Sequence, residues 1–139
     1  MTLIELLMRE EGWSPHVYKD HLGYYTIGYG HLVDERKGGK ISKEIGLIIL
    51  LIDIEDKKRE LDLKIPWWSS LDETRREILI AMAFQLGVAG LLQFKNTLKA
   101  IRAKDFTKAA NGMRASLWAR QTPGRAERMA QAMETGVLS

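Results

Sequence analysis

Strand signals in this chain are confined to one stretch, Val17 to Tyr29, and everything beyond Ile41 carries the marks of helices. That segregation limits the fold to an α+β architecture, because a sheet built early in the chain must sit beside a helical body rather than alternate with it. Within the stretch, Val17-Tyr18-Lys19 reads as a short strand. Asp20-His21-Leu22-Gly23 reads as a tight turn, with Asp first and Gly last. Tyr24 to Tyr29, rich in aromatic and β-branched residues, reads as the returning strand of a small antiparallel sheet. Ser14-Pro15 and Gly38-Gly39 read as the flanking turns.

The helical signals are equally local. Thr2 and Glu5 spell a capping box, followed by an apolar face of Leu3, Ile4, Leu7 and Met8. Gly12 is the expected stop, which puts Glu11 in the last turn. Ser42 caps a long helix over about 43–63, roughly 30 Å at ~1.5 Å per residue, and Pro66 ends it. Ser70 and Glu73 form a second capping box, for a helix running to Gly87. Shorter helices are expected at about 95–103 and 106–114. Thr122-Pro123 opens the last helix, whose buried stripe is Ala126, Met129, Ala130 and Met133 and whose stop is near Gly136. The expected organisation is one domain over 1–139. A small sheet lobe with the connecting helix occupies 12–63, a helical lobe occupies 64–139, and helix 3–11 packs near the cleft between them. Such a cleft is a usual place for a substrate.

Composition removes several chemistries. The chain has no cysteine, which excludes disulfides, thiolate metal sites and a cysteine nucleophile. Only three histidines argue against a metal centre. The N-terminus carries Glu5, Arg9 and Glu10, so it does not read as a signal peptide. The longest apolar run, Ile45 to Ile52, falls short of the ~20 residues of a membrane span. The formal charge of +3 suits an anionic polymer weakly. The basic residues are interleaved with acids instead of forming a stripe, which argues against nucleic acid as a partner.

Two carboxylates stand out by position. Glu11 ends a helix, where the negative end of the dipole favours the protonated carboxyl that a general acid uses. Asp20 opens the turn, and Thr26 follows on the next strand. A helix end and a hairpin can bring all three to one wall. Glycosidases use two such carboxyls, one to protonate the leaving oxygen and one to activate water or attack the sugar. Among 18 acidic residues the pair alone is a weak signal, and most such pairs are solvated surface groups.

The words around the pair are more specific. Glu11-Gly12, Tyr18-Lys19-Asp20 and Gly23-Tyr24-Tyr25-Thr26-Ile27-Gly28-Tyr29-Gly30-His31 closely resemble the phage lysozymes. The resemblance continues at Ser70-Leu71-Asp72, Arg75-Arg76, Phe84-Gln85-Leu86-Gly87, Trp118 and Gln121-Thr122-Pro123-Gly124-Arg125-Ala126, in order along nearly the whole chain. It implies a lysozyme-like α+β fold. It also implies a glycosidase that hydrolyses the β-1,4 bond between N-acetylmuramic acid and N-acetylglucosamine in bacterial peptidoglycan, and the family is described as inverting. On that resemblance Glu11 is the acid, Asp20 the second carboxylate and Thr26 the residue that places the water. Leu32, Phe84, Gln85 and Arg125 line the sugar site, with Arg125 beside the acid, and Phe84 reads equally well as plain core. His31 and Asp53 form a structural pair tying sheet to long helix. No metal or cofactor is implied. Trp118 reads as core, and Trp67-Trp68 as the seat for the end of the long helix, where Pro66 forces a turn.

The chain departs from the family pattern in three places. The segment between His31 and Ile41 is much shorter, Gly112 stands where an asparagine faces the wall peptide, and the chain ends a few residues early. Two rival readings are a lytic transglycosylase, which acts on the same bond with one acid and is disfavoured by Asp20 and Thr26, and a non-enzymatic wall-binding module, disfavoured by Glu11. Without a signal peptide, the expected location is the host cytoplasm until a membrane lesion made by another protein gives access to the wall. Helical spacing from Asp53, Glu44, Glu55 and Lys58 puts Leu47, Ile48 and Leu51 on the outward face of the long helix. An exposed aliphatic patch, open to weak self-association, is therefore expected there.

Overall fold

The computed structural model describes residues 2–19, 22–29, 31–32 and 40–138. Among these the order is α1 (Leu3–Glu11), β1 (Ser14–Lys19), β2 (Tyr25–Gly28), β3 (His31–Leu32) and α2 (Lys43–Lys64). A 3₁₀ turn at Pro66–Ser70 leads to α3 (Glu73–Leu92), α4 (Lys95–Arg102), α5 (Phe106–Arg114), α6 (Leu117–Gln121) and α7 (Pro123–Thr135). The fold is α+β and lysozyme-like, with the strands gathered near the N-terminus. It divides into two compact units, Met1–Leu50 and Leu51–Ser139, and the division falls within α2.

In the first unit the strands form an antiparallel sheet in the order β1-β2-β3. Ser14 and Pro15, expected as a turn, belong to β1 instead. The register accommodates them. Ser14 pairs with Gly28 and Tyr18 with Thr26, so β1 uses four steps where β2 uses two. Proline has no N–H for a ladder bond, and an irregularity of this kind takes it out of the pairing. The Ser14 hydroxyl donates to the His16 carbonyl inside the irregular stretch, at 2.6 Å. The turn at Gly38-Gly39 lies outside the described residues.

Helix α2 starts where Ser42 accepts from the Ile45 N–H, at 3.2 Å. Its exposed aliphatics extend further than the three expected on one face. Leu47, Ile48 and Leu51 are exposed, and so are Ile49, Leu50 and Ile52. Six consecutive helical positions, 100° apart, point in every direction around the axis. Pro66 ends the straight helix, and Trp68 seats the bend: its Nε1–H donates to Asp62 Oδ1 at 2.7 Å, with the ring buried.

In the second unit α3 is capped by Asp72, whose carboxylate accepts from the Arg75 N–H at 3.2 Å. Ser70, the expected cap, is held in the 3₁₀ turn, where its hydroxyl donates to the Trp67 carbonyl at 2.8 Å. The helix does not stop at Gly87. That residue takes φ 74°, which glycine adopts freely, and helical turns resume to Leu92. Helix α6 was not anticipated. Thr122 makes no side-chain cap for α7, and its hydroxyl donates instead to the Trp118 carbonyl at 3.1 Å. Ala126, Ala130 and Met133 of the expected stripe are buried, Met129 is partly so, and Ala132 joins them. The core of this unit includes Leu61, Ile78, Leu79, Met82, Leu91, Ile101 and Met113. Arg75 ties three helices together. It donates to the Met133 and Glu134 carbonyls at 2.8 and 3.0 Å, and its guanidinium lies 3.7 Å from the Phe106 ring centre. Arg114 bridges α5 to α7, and its hydrogen bond to Glu127 raises its pKa against the opposing effect of desolvation, with a further contribution from Glu134.

Candidate active site

The position of Glu11 follows from how α1 is closed at both ends. At its start, the Thr2 N–H donates to Glu5 Oε2 at 2.9 Å and the Glu5 N–H donates to Thr2 Oγ1 at 3.1 Å. At its end, Gly12 takes φ 70° and its N–H donates to the Met8 carbonyl at 3.1 Å. A side chain at Gly12 would meet no neighbour, so the positive φ rather than crowding calls for glycine. Glu11 is therefore the exposed last residue of a fixed helix, one step before the chain turns into the sheet.

Thr26 sits on the central strand. It pairs with Tyr18 on one side and Leu32 on the other, and among the described residues of this unit it is the buried one, 5% exposed. Its hydroxyl donates to the Tyr24 carbonyl at 3.3 Å, which leaves its lone pairs as acceptors. Leu32, across the ladder from Thr26, is exposed. Asp20 and the trimmed segment beyond Leu32 (33–39) lie outside the described residues. Lys19, which precedes Asp20, pairs with Tyr25, next to Thr26. The ladder thus sets Thr26 opposite Leu32, and Glu11 ends α1 three residues before β1 begins. His31 is on β3 in this unit and Asp53 on α2 in the second, so their pairing stays an expectation of the resemblance.

The other expected site residues belong to the second unit. Phe84 is exposed, not part of the core, and lines a recess with Asp53, Asp56, Lys57 and Glu60 of α2. The Gln85 amide oxygen accepts from Trp118 Nε1 at 3.0 Å. Trp118 is buried, as expected of core, and it also fixes which end of the Gln85 amide remains free: the NH₂, a donor. That coupling spans two helices far apart in sequence and has no local signal. Arg125 is half-buried and donates to the Ala81 carbonyl of α3 at 3.5 Å, which places it one helical turn from Gln85.

A cavity of about 660 Å³ lies in the helical unit and is lined by Leu86, Phe94, Thr97, Gly112, Trp118 and Gln121, among others. Gly112 explains one departure from the family pattern. A Cβ there would collide with the Thr97 hydroxyl unless that hydroxyl turned away, the Thr97 Cβ and Cα standing at ordinary contact distance, so the packing of α5 on α4 favours glycine here. The space that an asparagine would fill is occupied by Thr97, itself buried. Among the described residues no group of three His, Asp or Glu side chains gathers to hold a metal ion. No single described helix is long and apolar enough to cross a membrane.

The phage lysozyme family model matches residues 8–132. The pre-baseplate central spike protein Gp5 of Enterobacteria phage T4 is 34% identical over 163 aligned positions, covering 99% of this chain and 28% of the spike protein. The probable T4-type lysozyme 1 of Dictyostelium discoideum is 32% identical, covering 99% of this chain and 96% of that protein. The peptidoglycan hydrolase gp36 of Pseudomonas phage phiKMV is 32% identical over 87% of this chain and 14% of its own length. With a family match over almost its whole length and a relative matched nearly end to end, this chain belongs to the phage lysozyme family.

Proposed function

We propose that this chain cleaves the β-1,4 bond between N-acetylmuramic acid and N-acetylglucosamine, with Glu11 as general acid, Asp20 as the second carboxylate and Thr26 as the residue that positions water. Membership of the phage lysozyme family makes it a glycosidase acting on peptidoglycan. The observation offered in support of the residue roles is the closed end of α1, where the Gly12 stop makes Glu11 the last helical residue, three positions before the strand that pairs with the one carrying Thr26. A carboxyl at a helix end can protonate the leaving oxygen of a bound sugar. The Thr26 lone pairs accept from a water O–H and turn the water's own lone pair toward the sugar, while Asp20 takes its proton. Leu32, Phe84, Gln85 and Arg125 supply sugar contacts. The free Gln85 NH₂ suits an acetamide oxygen. Gly112 offers no side chain to the wall peptide.

Product analysis tests this reading. Mass spectra of digested walls should show hydrated reducing sugars, and Asp20→Ala should slow their release by about 10²-fold or more. Anhydro sugars, or a rate within a few-fold for Asp20→Ala, would turn the assignment toward a transglycosylase. Weak self-association through Leu47, Ile48 and Leu51 is a second element of the proposal, supported by the exposed aliphatics of α2. Sedimentation should show mass rising with concentration and falling back in Leu47→Glu plus Leu51→Lys. A monomer at every concentration would remove this element.

A further inference from the structure

One pair of aromatic residues is left unused by the site described so far. Trp13 and Tyr29 face each other with ring centres 5.1 Å apart and planes tilted by 49°. Their meeting follows from the register: Ser14 pairs with Gly28, so the next step outward along both strands brings 13 opposite 29. The Trp13 ring reaches Gly28, where an added Cβ would sit 3.8 Å from Cζ3, an ordinary contact.

A cross-strand aromatic pair that serves only to hold two strands together buries its own faces. This one does not. Trp13 is 63% exposed and Tyr29 44%. Of the four tryptophans, Trp67 is partly buried and Trp68 and Trp118 are buried, which leaves Trp13 as the one exposed indole. Exposing that much aromatic surface is costly unless something covers it.

We propose that Trp13 and Tyr29 form a stacking platform for a hexosamine ring of the wall glycan, a sugar contact additional to those of Leu32, Phe84, Gln85 and Arg125. This inference rests on the reading of the chain as a peptidoglycan hydrolase. Three observations point to a sugar as the occupant. The pair is near the proposed acid in the chain, with only Gly12 between Trp13 and Glu11. Its partner strand is the one that carries Thr26. A pyranose presents an apolar face of C–H groups ringed by hydroxyls, which matches an aromatic surface whose faces are electron-rich and whose Tyr and Trp edges carry a hydroxyl and an N–H. Gly12 and Gly28, both at positive φ, leave the approach to the rings free of side chains.

The test uses Glu11→Gln, so that binding is read without turnover, and a tetramer of β-1,4-linked N-acetylglucosamine as the probe. The tetramer should shield the exposed indole from acrylamide quenching, and Trp13→Leu in the same background should abolish the shielding. In the active chain, Trp13→Leu and Tyr29→Leu should each raise KM on wall fragments about tenfold, with a smaller change in kcat, and Trp13→Tyr should recover most of the loss. A pair that is only a strand clamp predicts the opposite split, a lower Tm with KM unmoved and no shielding. Either of those last two results would overturn the platform. Full lysis by Glu11→Gln would instead remove the catalytic assignment and leave the platform standing, so the two failures are told apart.

Discussion

The two units of this chain divide the labour of folding and chemistry unequally. In Leu51–Ser139 the helices share a core of fully buried side chains, among them Leu61, Leu79, Met82, Ile101 and Met113. In Met1–Leu50, Thr26 is the buried residue among those described, and α1 buries none of its side chains. Yet Glu11, Asp20 and Thr26, the residues proposed to act on the substrate, all belong to the first unit. Its order comes from local devices: a capping box, a glycine stop and short ladders. The difference teaches that stability and catalysis can be perturbed separately here. Catalytic groups on a lightly packed unit are carried by backbone hydrogen bonds and caps, while apolar burial stabilises the helices.

Truncations test that separation from opposite sides, the larger effect first. Leu79→Ala removes a fully buried side chain and should cost about 2–5 kcal/mol of unfolding free energy, measured by urea titration. Its KM on wall fragments should stay within a few-fold of the parent under folding conditions. Leu3→Ala removes the same atoms from a residue that is 68% exposed, and should cost about 0.5 kcal/mol or less. Equal costs for the two would break the comparison. A still smaller value at Leu3 would sharpen it.

Much of this was legible in the sequence, and where it was not the reason is physical. The start and stop of α1 were readable because a capping box and a positive-φ glycine act within four residues. The choice of Asp72 over Ser70 as the α3 cap was not readable. It depends on the 3₁₀ turn that occupies the Ser70 hydroxyl with the Trp67 carbonyl. The same limit hid the role of Gly112, which is set by how closely α5 approaches Thr97, and the Gln85–Trp118 hydrogen bond, which joins α3 to α6. Trp13 and Tyr29 were missed because their meeting depends on the register beyond an irregularity in β1 that starts at Pro15. Glu11 and Thr26 stand out in the sequence because their neighbours in the chain form a motif; the structure puts Glu11 in the last turn of α1 and Thr26 on the central strand, and their roles rest on the resemblance.

The central claim is that one carboxyl at the end of a locally closed helix does the acid chemistry. Its most direct test is Glu11→Gln, followed by turbidity of a bacterial wall suspension and by circular dichroism on the same sample. An amide has the shape of the acid and cannot deliver the proton. The account predicts that lysis falls by about 10²–10⁴-fold while helix content stays at the parent value. Lysis within a few-fold of the parent, from a purified and folded variant, would contradict it.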